Sequence, residues 1–159
     1  MVSFIILFTV LVEWRITMKF KVFVDGSEGT TGLQINERLA LRSDLDIIKI
    51  DTEKRKDINE RKKCLNNADI VFLCLPDTAA IEAVSLIENP RTKIIDASTA
   101  HRTNVNWAYG LPELSKSHRA KIQNSARVSV PGCYATGFIT LMYPLVSGGI
   151  IPRDYPVTI

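Results

Sequence analysis

From Phe20 onward the chain alternates short β-branched runs with stretches of helical spacing, a pattern that leaves few architectures open. Phe20 to Val24, Asp46 to Ile50, Ile70 to Leu75, Lys93 to Asp96 and Arg127 to Val130 read as strands, several of them continuously apolar, as strands covered on both faces are. Helices fill the gaps. Asp77 is expected to N-cap one in which Ala80, Ala83, Val84 and Ile87 recur at i, i+3, i+4 and i+7, and Ser115 to cap a shorter polar one reaching about Asn124. A last helix begins near Cys133, sets Phe138, Leu141, Met142 and Leu145 on one stripe, and breaks at Ser147-Gly148-Gly149. The expected class is α/β, a Rossmann-like, doubly wound and mostly parallel sheet. After a linker with two prolines, Val157 to Ile159 reads as a further strand that starts and stops.

With 159 residues and 46% apolar content the chain can bury one real core, which excludes disorder. Three cysteines, Cys64, Cys74 and Cys133, without a C-x-x-C pair exclude a disulfide scaffold and point to reduced thiols in the cytoplasm. Val2 to Val12 is an apolar run broken only by Ser3 and Thr9, shorter than the ~20 residues of a membrane span. It lacks the flanks of a secretory signal, because Glu13-Trp14-Arg15 follow it. Residues 1–17 are therefore read as an apolar extension from a mis-assigned start, with Met18 opening the functional protein.

The net charge of +3 has a single source. Thr52 to Lys63 holds six basic side chains, Lys54, Arg55, Lys56, Arg61, Lys62 and Lys63, against Glu53, Asp57 and Glu60. This is too little for a nucleic-acid footprint. It suits one phosphate, or a solvated helix face laced with Glu/Lys pairs.

Directly after the first strand comes Gly26-Ser27-Glu28-Gly29-Thr30-Thr31-Gly32, a G-x-x-G-x-x-G spacing that opens a helix. Glycines there allow a tight turn and a close backbone approach to a pyrophosphate, whose charge then sits on the exposed N–H groups of the helix start. Nineteen residues beyond Gly32, Asp51 ends the second strand, where a carboxylate would accept from the ribose hydroxyls of NAD. The basic cluster right after it favours the 2′-phosphate of NADP instead. The two signals disagree, and the reading leans to NADP through Arg55, whose fork binds a phosphate bidentately.

Of the cysteines, Cys74 falls inside an apolar strand and Cys64 in a polar helix, and both read as structural. Cys133 differs: Pro131-Gly132-Cys133-Tyr134-Ala135-Thr136-Gly137 joins a strand end to a helix start, the edge where open α/β sheets bind ligands and where a helix dipole favours a thiolate. The alternative is an incidental thiol. Asp96-Ala97-Ser98-Thr99-Ala100-His101-Arg102 should arrive at the same edge, with Arg102 placed to hold an anion beside Cys133. Neither His101 nor His118 is assigned as a general base, and no metal site is expected.

The glycine loop, Leu75-Pro76-Asp77, the Asp96 to Arg102 segment, Tyr109-Gly110-Leu111-Pro112-Glu113-Leu114 and the Cys133 motif, in this order, resemble the N-acetyl-γ-glutamyl-phosphate reductases of arginine biosynthesis, within the group that includes aspartate-semialdehyde dehydrogenase. The resemblance spans about Met18 to Ile159. It implies an acyl phosphate reduced by NADPH: Cys133 attacks the acyl carbon of N-acetyl-γ-glutamyl phosphate, phosphate leaves, and hydride reduces the thioester to N-acetylglutamate semialdehyde. It also implies that Gly26, Ser27, Gly29, Thr30, Thr31 and Gly32 bind the pyrophosphate, with Arg55, Leu75 and Pro76 completing the cofactor site. Ser98, Thr99 and Arg102 would serve the substrate. Residues 18–150 would then be the NAD(P)-binding domain and residues 151–159 the start of a truncated α+β domain. In this family that domain carries the acid/base histidine and the interface of a homo-oligomer, so the fragment alone would be inactive. The alternatives are an aspartate-semialdehyde dehydrogenase-like reductase and a non-catalytic nucleotide-binding module.

Overall fold

The structure, a computed structural model, describes residues 19–158. The expectations about residues 1–17 and about Ile159 lie outside that span. Six parallel strands form one sheet in the order β2-β1-β3-β4-β6-β5. They are β1 (Phe20–Asp25), β2 (Leu45–Ile48), β3 (Ile70–Leu73), β4 (Lys93–Asp96), β5 (Ala108–Tyr109) and β6 (Arg127–Ser129). Helices α1 (Thr30–Ala40), α2 (Ile58–Asn67), α3 (Asp77–Leu86), α4 (Lys116–Asn124) and α5 (Cys133–Ser147) connect or follow them. The order reverses between β1 and β3, which makes their carboxyl ends the switch point where such sheets take ligands.

Consecutive residues Val22, Phe23 and Val24 of β1 are all buried, and since neighbours on a strand face opposite ways, both faces of the sheet are covered there. On one face Phe23, Val71 and Ile94 stand in one register row. Leu65 of α2 and Ala80 and Ala83 of α3 pack over them in the same core. The small alanines let α3 lie close to the sheet.

The strand register also aligns the carboxyl ends. Asp25, Leu73, Asp96, Ser129 and Tyr109 are successive partners in one row. The glycine loop, the Cys74-Leu75-Pro76 turn, the Ala97 to Arg102 turn and the Pro131-Gly132-Cys133 turn therefore emerge on one edge.

Several expectations need correction. The second strand starts one residue earlier than expected, at Leu45, and ends at Ile48, and the third ends at Leu73, so Cys74 and Leu75 belong to the turn. Two-residue β5, ending just ahead of Gly110-Leu111, extends the sheet beyond β6 and is too short for alternation to reveal. Asp77 does not cap α3 with its side chain; Pro76 occupies the cap position, and the Asp77 carboxylate faces Thr99 instead. Val157 and Thr158 form no strand, because no ladder partner stands beside them among the described residues. Val157 lies in a groove beside α5 with Phe138, Met142 and Tyr143. Ser115 does cap α4, accepting from the His118 N–H at 3.0 Å.

Candidate active site on the carboxyl edge of the sheet

The glycine loop shapes the first part of the edge. Gly26 has φ +86°, and a Cβ there would lie 2.3 Å from the Cys74 carbonyl oxygen. A Cβ on Gly32 would lie 2.2 Å from the Gly26 carbonyl oxygen, so α1 can begin tight against the turn only as glycine. Gly29 is under no such pressure, its nearest neighbour being 3.6 Å away. It serves as N-cap of α1 with no side-chain cap, which leaves the first N–H groups of the helix turned outward beside the exposed Thr30 and Thr31.

A cavity of about 420 Å³ opens here, lined by Gly26, Ser27 and Gly29 on one side, Leu75 and Pro76 on another, and Arg55 and Lys56 at a third. Glycine turn, uncapped helix start and cation pair fit a dinucleotide phosphate chain. Arg55 forms an ion pair with Glu28 of the loop. Asp51 faces its own backbone, where its carboxylate accepts from the Glu53 N–H at 3.3 Å and caps the 3₁₀ turn Thr52–Lys54.

Arg61 departs from the reading that groups it with the phosphate-facing or solvated cations. It is 8% exposed and binds the Asp25 carboxylate through Nε at 3.2 Å and Nη2 at 2.9 Å, and Glu82 of α3 through Nη1 at 3.1 Å. It ties β1, α2 and α3 together beneath the cavity. A signal exists in the sequence: Arg61 stands four residues before the core residue Leu65 on the same helix face, and Asp25 closes an otherwise apolar strand apart from Lys21. The outer members of the cluster do behave as solvated pairs, Lys63 with Glu60 and Lys62 with Glu88.

At the other end of the edge Cys133 is the first residue of α5 and is exposed. Gly132 is its N-cap, without a side-chain cap, so the first N–H groups of α5 stay open as those of α1 do. Arg102 lies against Gly132: a Cβ there would meet its Nη1 at 2.7 Å. The guanidinium is fixed by the Val130 carbonyl, which accepts from Nε at 3.0 Å, and the Ala97 carbonyl, which accepts from Nη2 at 3.3 Å. Among the described residues no carboxylate pairs with it.

Asp96 organises the turn between. Fully buried, it accepts from the Ser98 N–H at 2.9 Å, the Ser98 hydroxyl at 2.7 Å and His101 Nδ1 at 2.6 Å. Ser98 is itself 7% exposed, so its hydroxyl is committed inside the turn. His101 stacks on Trp107 with centroids 4.1 Å apart, and His118 donates through Nε2 to the Tyr109 carbonyl at 2.6 Å. Both histidines are engaged in holding the fold. Thr99, by contrast, is exposed and donates its N–H and hydroxyl to Asp77.

The three thiols differ in environment. Burial, and behind it the Asp25 and Asp96 carboxylates, push the Cys74 thiol up to about 11, and burial raises Cys64 as well. Cys133 is the exposed one of the three.

Residues 22–122 match the family described as semialdehyde dehydrogenase, NAD binding domain. The chain belongs to that family. Among curated relatives, it is 54% identical over 138 residues to "N-acetyl-gamma-glutamyl-phosphate reductase 2" of Pseudomonas putida, covering 87% of this chain and 44% of that protein. It is 53% identical over 141 residues to N-acetyl-gamma-glutamyl-phosphate reductase of Trichormus variabilis, covering 89% and 44%. The chain thus spans less than half the length of these relatives. Among solved structures it is similar in fold to aspartate semialdehyde dehydrogenase of Francisella tularensis, with a TM-score of 0.60, 16% identity and coverage of 82% of this chain and 41% of that one. The enzyme of Candida albicans with NADP gives 0.58, 15%, 82% and 47%. Within the described residues no helix is long and apolar enough to cross a membrane.

Proposed function

We propose that this chain supplies the cofactor-binding half and the nucleophile of a cytoplasmic, homo-oligomeric, NADPH-dependent reductase that converts N-acetyl-γ-glutamyl phosphate to N-acetylglutamate 5-semialdehyde. One observation carries the reading: an exposed cysteine starts a helix, beside an anion-ready arginine, on the same sheet edge as the glycine-loop cavity. The names of the relatives support the substrate.

In this mechanism Arg102 Nη1 holds the acyl phosphate or the substrate carboxylate next to Gly132. Cys133 Sγ attacks the acyl carbon, the carbon–oxygen bond to phosphate breaks, and phosphate departs with its electron pair. The open N–H groups at the start of α5 stabilise the oxyanion formed on the way. NADPH, when bound, supplies the hydride that takes the thioester to the aldehyde, and Sγ leaves as thiolate. The backbone of Gly26 to Gly32 holds the pyrophosphate, Leu75 and Pro76 flank the nucleoside, and Arg55 with Lys56 meets the 2′-phosphate. Because Arg55 pairs with Glu28, the phosphate competes with that carboxylate. Ser98 supports the site from inside the turn, through Asp96.

The test is Cys133→Ser in the product of the complete reading frame. Turnover should fall at least about a thousandfold, as for loss of a covalent nucleophile, while the NADPH dissociation constant stays within about twofold. Retained turnover would refute the assignment.

A further inference from the structure

The two ends of the edge are joined by a short polar bridge. Asp77 follows Pro76, which lines the cavity, and opens α3. Its carboxylate accepts from the Thr99 N–H at 2.8 Å and from the Thr99 hydroxyl. Thr99 in turn gives its carbonyl to the Arg102 N–H at 3.3 Å, closing the turn from which the Arg102 side chain reaches Val130 and Gly132. The first link spans 22 residues of sequence and connects β3's turn to β4's, and the Arg102–Val130 contact spans 28 and carries the turn on to the end of β6. The turn's other tie to β3 is made two residues earlier, where the Ala97 N–H donates to the Leu73 carbonyl at 2.9 Å.

We infer that Asp77 is a positioning residue: by holding Thr99 it sets the Arg102 guanidinium beside Cys133 and fixes that pair relative to the turn that flanks the dinucleotide. The inference rests on the proposed roles of Cys133 and Arg102. Its consequence for turnover is a split between constants. Loss of the bridge should raise KM for the acyl phosphate and lower kcat, with NADPH binding little changed.

The direct test needs neither substrate nor cofactor, so it can fail separately from the proposed function. Alkylation rates at Cys133 are measured by peptide mass spectrometry with anionic iodoacetate and with neutral iodoacetamide. A cation held beside the thiol raises the ratio of the two rates. In Asp77→Ala the ratio should fall on the order of threefold to tenfold, towards that of Arg102→Met, as the guanidinium loses its place. Asp77→Asn keeps an acceptor for the Thr99 N–H and an amide for its hydroxyl, and should hold the ratio. Were Asp77 merely a nearby negative charge, both substitutions would raise the ratio by the same amount. An unchanged or increased ratio in Asp77→Ala overturns the inference. Protection of Cys74 in the same digest certifies folding of each variant. Should Asp77→Ala unfold, Thr99→Ala decides: a smaller fall in the same direction supports the bridge, and no fall overturns it.

Discussion

At the glycine-loop end of the sheet edge the turn depends on two positions that carry no side chain, whereas at the cysteine end the side chains of Cys133 and Arg102 stand beside an open helix start. Gly26 and Gly32 each have a carbonyl oxygen where a Cβ would go, and the helix start they allow is uncapped. Gly132 has instead the guanidinium of Arg102 in that position, the end of a long side chain rather than backbone. The first end can tolerate almost no substitution at Gly26 or Gly32; the second can change chemistry with little effect on the fold. The surroundings repeat the contrast. Helices α2 and α3, near the loop, bury Leu65, Ala80 and Ala83 completely. No residue of α5 is buried, and Phe138 and Leu141 of its apolar stripe remain 37% and 66% exposed.

The largest effect that can break this comparison is on stability. Gly26→Ala, with a Cβ forced onto the Cys74 carbonyl and φ in the left-handed region, is expected to cost about 3 kcal/mol and to abolish dinucleotide binding. Cys133→Ala should cost less than about 0.5 kcal/mol, being an exposed position outside the core. Denaturant melts of the two variants check this, and equal losses would erase the distinction.

Thiol chemistry sharpens it. With iodoacetamide near pH 7.5, Cys133 should be modified first and Cys74 should stay protected. Only the thiolate reacts, so the Cys74 rate should climb about tenfold per pH unit until pH approaches about 11, where burial has placed its titration. A Cys74 rate that levels off near pH 8.5 would contradict that burial.

Much of this is legible in the sequence, for identifiable reasons. Five strands announce themselves because short β-branched runs recur between stretches of helical spacing, and the glycine loop because its spacing falls between a strand and a helix. Two-residue β5 gives no periodic signal, since alternation cannot be seen in a pair. Arg61 is easily misgrouped because a run of cations looks uniform in sequence, while only its place on the Leu65 face separates it from Lys62 and Lys63. Asp77 presents the composition of a cap; its partner is Thr99, a contact between two turns that neither segment alone encodes. The stripe of Phe138, Leu141, Met142 and Leu145 does lie on one helix, but periodicity states that a face is apolar and not what covers it.

The smallest effect is also the most direct test of the central claim, that this edge binds a dinucleotide through the loop and the neighbouring cations independently of the thiol. Fluorescence titration of the 159-residue chain with NADPH and with NADH should show tighter binding of NADPH. Cys133→Ser should leave that affinity within about twofold, and Arg55→Ala should weaken NADPH by about fivefold while leaving NADH unchanged, a modest loss because Glu28 already competes for the guanidinium. Folded protein that binds neither nucleotide, or binds both equally with and without Arg55, would contradict the claim.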